Sequence, residues 1–182
     1  MIKIVKIKDQ FIYPIFKNGK SSIEMFANSN NCQWLINSQC NRADCVTVFI
    51  RQPKDRFISG VHSFIEFERR KNKNLDYETM LYAIQHHRVT NEHFEPQFFW
   101  IKKLGKYYNG DLYLQDVEKL LDLIPNRNRP GIPDITTGQK NKIQKIKFND
   151  LIFDNILFDK YLGEKIKIAE LIKEIENAVS SS

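Results

Sequence analysis

Short apolar runs and stretches with apolar residues every three or four positions take turns along this chain, a pattern that predicts an α/β layer fold. In the opening "MIKIVKIKDQ", lysine alternates with isoleucine in the manner of an edge strand. Residues 11–16 read as a strand, and after a short cationic turn residues 20–28 read as its helix. A further short strand is expected at Trp34 to Ile36. The run "CVTVFI" at 45–50 is apolar and β-branched throughout, as suits a central parallel strand buried on both faces. Phe57, Val61, Phe64 and Ile65 then recur at helical spacing, and this helix is expected to dissolve in the charged "ERRKNKN". A second helix is predicted over 76–88 with Asp76 as its N-cap, and a third over 94–106, ending near Gly105. Leu112 to Leu114 reads as a strand leading into a helix. After the loop "PNRNRPGIPD" comes a basic segment and then a closing amphipathic helix, the two together covering residues 137–182. No internal repeat breaks the pattern, so residues 1–182 are expected to form one domain around a central, mainly parallel sheet flanked by helices.

Composition narrows the class of partner. The 182 residues are 42% hydrophobic and 12% aromatic, which fits a packed globular protein. A formal charge of +6 points to an anionic partner such as a nucleotide, a nucleic acid or an acidic glycan. The three cysteines, Cys32, Cys40 and Cys45, form no CxxC pair and leave one over, which argues against a disulfide framework and a zinc knuckle and for a reducing, cytoplasmic setting. No run is long and apolar enough to span a membrane, and no signal-peptide core is apparent, so no membrane partner is expected.

Two strand-to-helix junctions carry the candidate chemistry. In "FIYPIFKNGKSSIEMF" a strand gives way to a small cationic turn and then a helix, the architecture of a phosphate cradle. "GKSS" matches the second half of a Walker A motif, but the first glycine's place holds Pro14. The strand "VTVFI" leads into Arg51 rather than a Mg²⁺-holding acid, and "LIFD" at 151–154 sits in a region patterned as a helix. A P-loop hydrolase or kinase thus remains only as an alternative. At the second junction, Arg51, Pro53, Arg56 and Ser59 stand at R-x-P-x-x-R-x-x-S. Arg51 presents a planar fork for phosphate oxygens, Pro53 starts the helix, and Ser59 adds a hydroxyl donor two turns on. Two such anion sites on neighbouring strand ends imply one ligand with two separated phosphate groups.

These segments resemble the PAPS-dependent sulfotransferases, particularly the carbohydrate type (PAPS is 3′-phosphoadenosine 5′-phosphosulfate). "FKNGKSS" is similar to that family's 5′-phosphosulfate loop, P-K-x-x-x-[ST]-[ST], with Phe16 where proline often stands. "RQPKDRFIS" is similar to its 3′-phosphate segment, R-[DHN]-P-x-x-R-[FL]-x-S, with Gln52 at the variable position. "NEHFEPQFFWI" resembles the H-[WF]-x-P-Q segment, and "DLYLQDVEKLLDLI" the strand and helix that follow; the likeness spans residues 11–125 with a looser tail.

The resemblance implies a P-loop-like three-layer fold and transfer of a sulfuryl group from PAPS to a hydroxyl or amine acceptor, a small molecule or a glycan, with no metal. The backbone from Asn18 through Gly19, Lys20 and Ser21 to Ser22 would cradle the 5′-phosphate, Lys17 would stabilise the bridging oxygen, and Arg51 and Ser59 would grip the 3′-phosphate. His93 is the expected general base, with Glu92 or Glu95 to orient it and His62 and Glu24 as rivals. Arg56 reads as structural support. The lysines at 140, 142, 145 and 147 read as a solvated face that in such a family can also close over the nucleotide. Loops 68–76 and 126–140 are the expected acceptor walls. His86, His87 and His93 lack a fourth ligand, which argues against a metal site. A basic nucleic-acid-binding protein is the other alternative, opposed by the lack of interleaved aromatic and basic residues.

Overall fold

The computed structural model describes residues 1–15, 17–86, 88–124 and 133–181. Among them are six strands: β1 (Lys3–Ile7), β2 (Gln10–Ile12), β3 (Trp34–Ile36), β4 (Cys45–Ile50), β5 (Asp111–Asp116) and β6 (Lys165–Lys167). They form one sheet in the order β3-β1-β2-β4-β5-β6. The centre is parallel: Phe11 lies opposite Val46, and Cys45 to Ile50 lie opposite Asp111 to Asp116. Both sides are antiparallel, β1 against β2 and β3, and β6 against β5. β2, β3, β4 and β5 therefore point the same way.

Helices cover both faces. On one face α4 (Gln97–Gly105), α6 (Leu151–Tyr161) and α7 (Ile168–Ser180) bury Phe98, Leu157 and Leu171 against Val46, Val48 and Ile50 of β4. On the other, α1 (Lys20–Ser29) and a 3₁₀ turn at Val117–Asp122 bury Ile23 and Leu120 against Val5, Ile12 and Phe49. A separate helical cluster joins α2 (Pro53–Lys71), α3 (Tyr77–Gln85) and α5 (Thr137–Gln144) around Phe57, Ile65, Ile84 and Ile143. No helix among the described residues is long and apolar enough to cross a membrane.

Several elements differ from the sequence expectation, each for a local reason. β1 is an inner strand, because the short β3 pairs along its outer side. β2 is shorter than residues 11–16: Tyr13 N still donates to Thr47 O at 3.0 Å, but Pro14 has no N–H to continue the ladder. α2 ends inside the charged "ERRKNKN" as expected, but only after Lys71. Arg69 pairs with Glu66 at 3.0 Å and Lys71 with Glu68 at 2.8 Å, and cations in a last turn suit the helix dipole. Residues 68–71 of the first expected acceptor wall are consequently helix. α4 begins at Gln97 rather than residue 94, since Pro96 disfavours helix in the residue before it. β5 runs into a 3₁₀ turn instead of an α-helix. The C-terminal segment holds three helices and the strand β6, reached through Gly163 at φ +86°. The predicted Asp76 cap is present, accepting from Thr79 N at 2.9 Å. Phe16, His87 and residues 126–132 of the loop 126–140 lie outside the described residues.

Candidate functional site

β2, β4 and β5 run parallel, so their carboxyl ends share one edge of the sheet, the edge where α/β proteins bind ligands. The turn after β2 holds Lys17 at φ 67° and Gly19 at φ 81°, with Asn18 between them outside the positive-φ region. Such alternation is the kind from which backbone anion nests are made. Gly19 is required twice over. A Cβ there would adopt a left-handed conformation and would stand 2.3 Å from Leu120 Cδ2. α1 starts at Lys20, so the amides of Lys20, Ser21 and Ser22 belong to its first turn, whose N–H groups have no partner within the helix. Lys20 Nζ lies 5.6 Å from the centre of the Trp100 ring.

Asn18 is placed otherwise than expected. Its amide closes a turn onto Ile15 O at 3.1 Å and is not available to an anion. Its side chain is buried and turned inward, donating to Phe49 O at 2.9 Å and to Gln97 Oε1.

Arg51 follows the last residue of β4, and Ser59 lies in the second turn of α2. Both line one cleft of about 310 Å³, together with His62, Ser63, Asp134 and Lys140. Lys140 thus joins the two residues expected to hold a phosphate, whereas Lys142 pairs with Glu78. Gln52 caps α2 by accepting from Asp55 N at 3.1 Å. Arg56 points the other way. It is 1% exposed, donates to Glu95 O at 2.6 Å, and interacts with the charge of Asp154. Burial pulls its pKa down to about 10, which leaves it cationic at neutral pH and in a structural role.

His93 sits in the turn before α4. Asn91 Oδ1 accepts from the His93 backbone N–H at 3.0 Å, which fixes the amide's orientation. The same oxygen contacts Nδ1, so Nδ1 carries the ring proton and Nε2 is the basic nitrogen. Asn91, rather than Glu92 or Glu95, therefore orients the ring; the Glu95 carboxylate is held by Lys103 at 2.7 Å. The His93 ring packs against Phe64 and Phe67, with centroids at 6.0 and 6.3 Å. Desolvation first, and the Lys17 charge second, lower its pKa to about 4. The two residues expected to act on the reacting centre are therefore electrostatic neighbours. α2 also fits closely under this turn: a Cβ on Gly60 would stand 2.0 Å from His93 O.

Each rival for the base has partners of its own. Glu24 pairs with Lys3 at 2.8 Å. His62 is buried, 2.9 Å from Pro133 O and 3.3 Å from the Tyr77 hydroxyl. His86 Nδ1 contacts Tyr82 O, and no group of three metal-ligating side chains is found among the described residues.

The residues to which sequence reasoning gave no role at the site are Gln97, seen only as part of a motif, and Asp154, weighed only as a metal-holding acid; both are fully buried. Gln97 Oε1 accepts from Arg51 N at 2.7 Å and from Asn18 Nδ2; its Nε2 donates to Arg51 O at 2.8 Å and reaches Asp154 at 3.4 Å. Asp154 accepts from Gln97 N and Phe98 N, both at 2.9 Å, and so caps α4 from α6. Burial raises the Asp154 pKa, opposed by those amides and by Arg56. The visible signals were a polar residue in each of the apolar runs "PQFFWI" and "LIFDNIL". Compared with known proteins, the chain matches no protein-family model, no curated protein and no solved structure.

Proposed function

We propose that this chain is a sulfotransferase of P-loop-like architecture, moving a sulfuryl group from PAPS to a hydroxyl acceptor. The observation that carries the reading is the pairing of two anion-suited sites at one sheet edge. Arg51, Ser59 and Lys140 share a cleft, and the Lys17 turn closes the next strand. A donor with a 3′-phosphate and a 5′-phosphosulfate has its charges separated in the way two such sites require.

Within this reading the 3′-phosphate lies with Arg51 and Ser59, and the 5′ group lies at the first turn of α1. The acceptor oxygen forms its bond to sulfur as the bond from sulfur to the bridging oxygen breaks. Lys17 stabilises charge gathering on that oxygen, and His93 Nε2 takes the acceptor proton. The products are the sulfated acceptor and adenosine 3′,5′-bisphosphate. The low pKa of His93 keeps the imidazole neutral, hence able to accept, across the physiological range.

The deciding experiment is a calorimetric titration of the protein with adenosine 3′,5′-bisphosphate and with AMP. The bisphosphate is expected to bind markedly more tightly; equal affinities would remove the basis for a PAPS site.

A further inference from the structure

We infer that Gln97 is a positioning residue that sets the spacing between the Lys17 turn and Arg51, so that the two anion sites act as one gauge for a doubly charged ligand. This inference rests on the PAPS reading above.

A primary amide has two acceptor positions and two donor hydrogens, and the Gln97 side chain uses them all on buried partners. Two of its bonds, Arg51 N to Oε1 at 2.7 Å and Nε2 to Arg51 O at 2.8 Å, clasp the backbone of Arg51 from both sides. A third reaches the Lys17 turn through Asn18, which is itself tied to Phe49 O on β4. The fourth runs to Asp154, whose carboxyl also holds the Gln97 and Phe98 amides. With Gln97 at 0% exposure, water cannot replace a lost bond cheaply. One path between the anion sites runs Lys17, Asn18, Gln97, Arg51 and joins two side chains; a second runs from Asn18 to Phe49 O along β4, and only the first holds both backbone polar groups of Arg51. A residue that only packs would affect binding at both sites alike. A gauge affects the ligand that must satisfy both at once, because the two binding events are coupled through it.

The test is Gln97→Ala, titrated with adenosine 3′,5′-bisphosphate, adenosine 5′-monophosphate and adenosine 3′-monophosphate. The expected result is a roughly tenfold rise in Kd for the bisphosphate, with each monophosphate changing less than about threefold. An equal rise for all three ligands, or no change in any, overturns the inference. A wild-type protein without preference for the bisphosphate defeats the PAPS reading itself, and that failure is visible before any variant is made. Should Gln97→Ala not fold, the wild-type protein decides through its amide NMR spectrum. Adenosine 5′-monophosphate is then expected to shift the Arg51 amide and the Asn18 side-chain NH₂ signals together with those of residues 19–22. Arg51 and Asn18 signals that stay still while the turn responds overturn the inference.

Discussion

Gln97 N donates to Asp154 Oδ2 at 2.9 Å, and this bond across 57 positions of sequence caps the start of α4. Pro96 supplies no side-chain cap to the helix it precedes, so the acceptor for the first amides comes from α6. The same carboxyl interacts with the charge of the buried Arg56 guanidinium.

Asp154→Ala is accordingly expected to cost about 3 kcal/mol, since it strands two amides and removes a counter-charge from a buried cation at once. For a chain of this length that is a fall in Tm of roughly 6–12 °C, read by differential scanning calorimetry. A change below about 1 kcal/mol would mean that water or Glu95 replaces the carboxyl at little cost.

Much of this arrangement was legible in the sequence, and the rest was hidden for identifiable reasons. β4, α1 and the Asp76 cap of α3 are local matters of periodicity and cap chemistry, and they fell where the pattern put them. Arg51 and Ser59 share a cleft because one strand–helix junction carries both. Asp154 was read only as a failed metal ligand, because what a buried carboxyl caps depends on a helix far away in sequence. Asn18 illustrates the same limit: the motif pattern assigned its amide to an anion, and the Ile15 carbonyl took it. β6 is three residues long with two lysines, and only its pairing with β5 and with Asp111 makes it a strand.

Arg51→Ala is expected to remove most of the preference for the bisphosphate over AMP. A charge-assisted phosphate contact is worth about 2–3 kcal/mol, or roughly a 30- to 150-fold loss in affinity for the bisphosphate alone. AMP binding should scarcely move. Parallel losses for both ligands would place Arg51 at the common 5′ end instead.

Lys17→Ala addresses the other site. Its proposed action is on charge that develops as the bond to sulfur breaks, so kcat should fall far more than cofactor affinity. Single-turnover rates alongside bisphosphate Kd separate the two quantities. Affinity and turnover falling together would make Lys17 a ground-state anchor only.

Gly60→Ala would ordinarily stabilise a helix by up to about 1 kcal/mol. Here the added Cβ would meet His93 O at 2.0 Å, a backbone atom that cannot rotate away. The expected outcome is a less stable protein with His93 displaced, seen as a lower Tm together with reduced turnover. A variant as stable and active as the wild type would show that the His93 turn is not braced by α2.

His93 offers the sharpest test, because in the proposed mechanism one shifted pKa governs both rate and stability. Its pKa in the folded chain is about 4, against about 6.5 for a free imidazole. Between those values the unfolded chain binds the proton and the folded chain does not, so protonation favours unfolding. The stability that His93 confers is complete above about pH 6.5 and is lost as pH falls toward 4. Replacement by Gln should flatten that part of the Tm–pH curve, while the wild type declines. In the rate, the acid limb assigned to the base should fall near pH 4 instead of near 6.5, since Nε2 stays unprotonated down to there. His93→Ala should lower kcat by about a hundredfold while leaving bisphosphate binding nearly intact, the signature of a lost general base. An acid limb near 6.5 with full activity in His93→Ala would move the role to another group, with His93 left as a packing residue between Phe64 and Phe67.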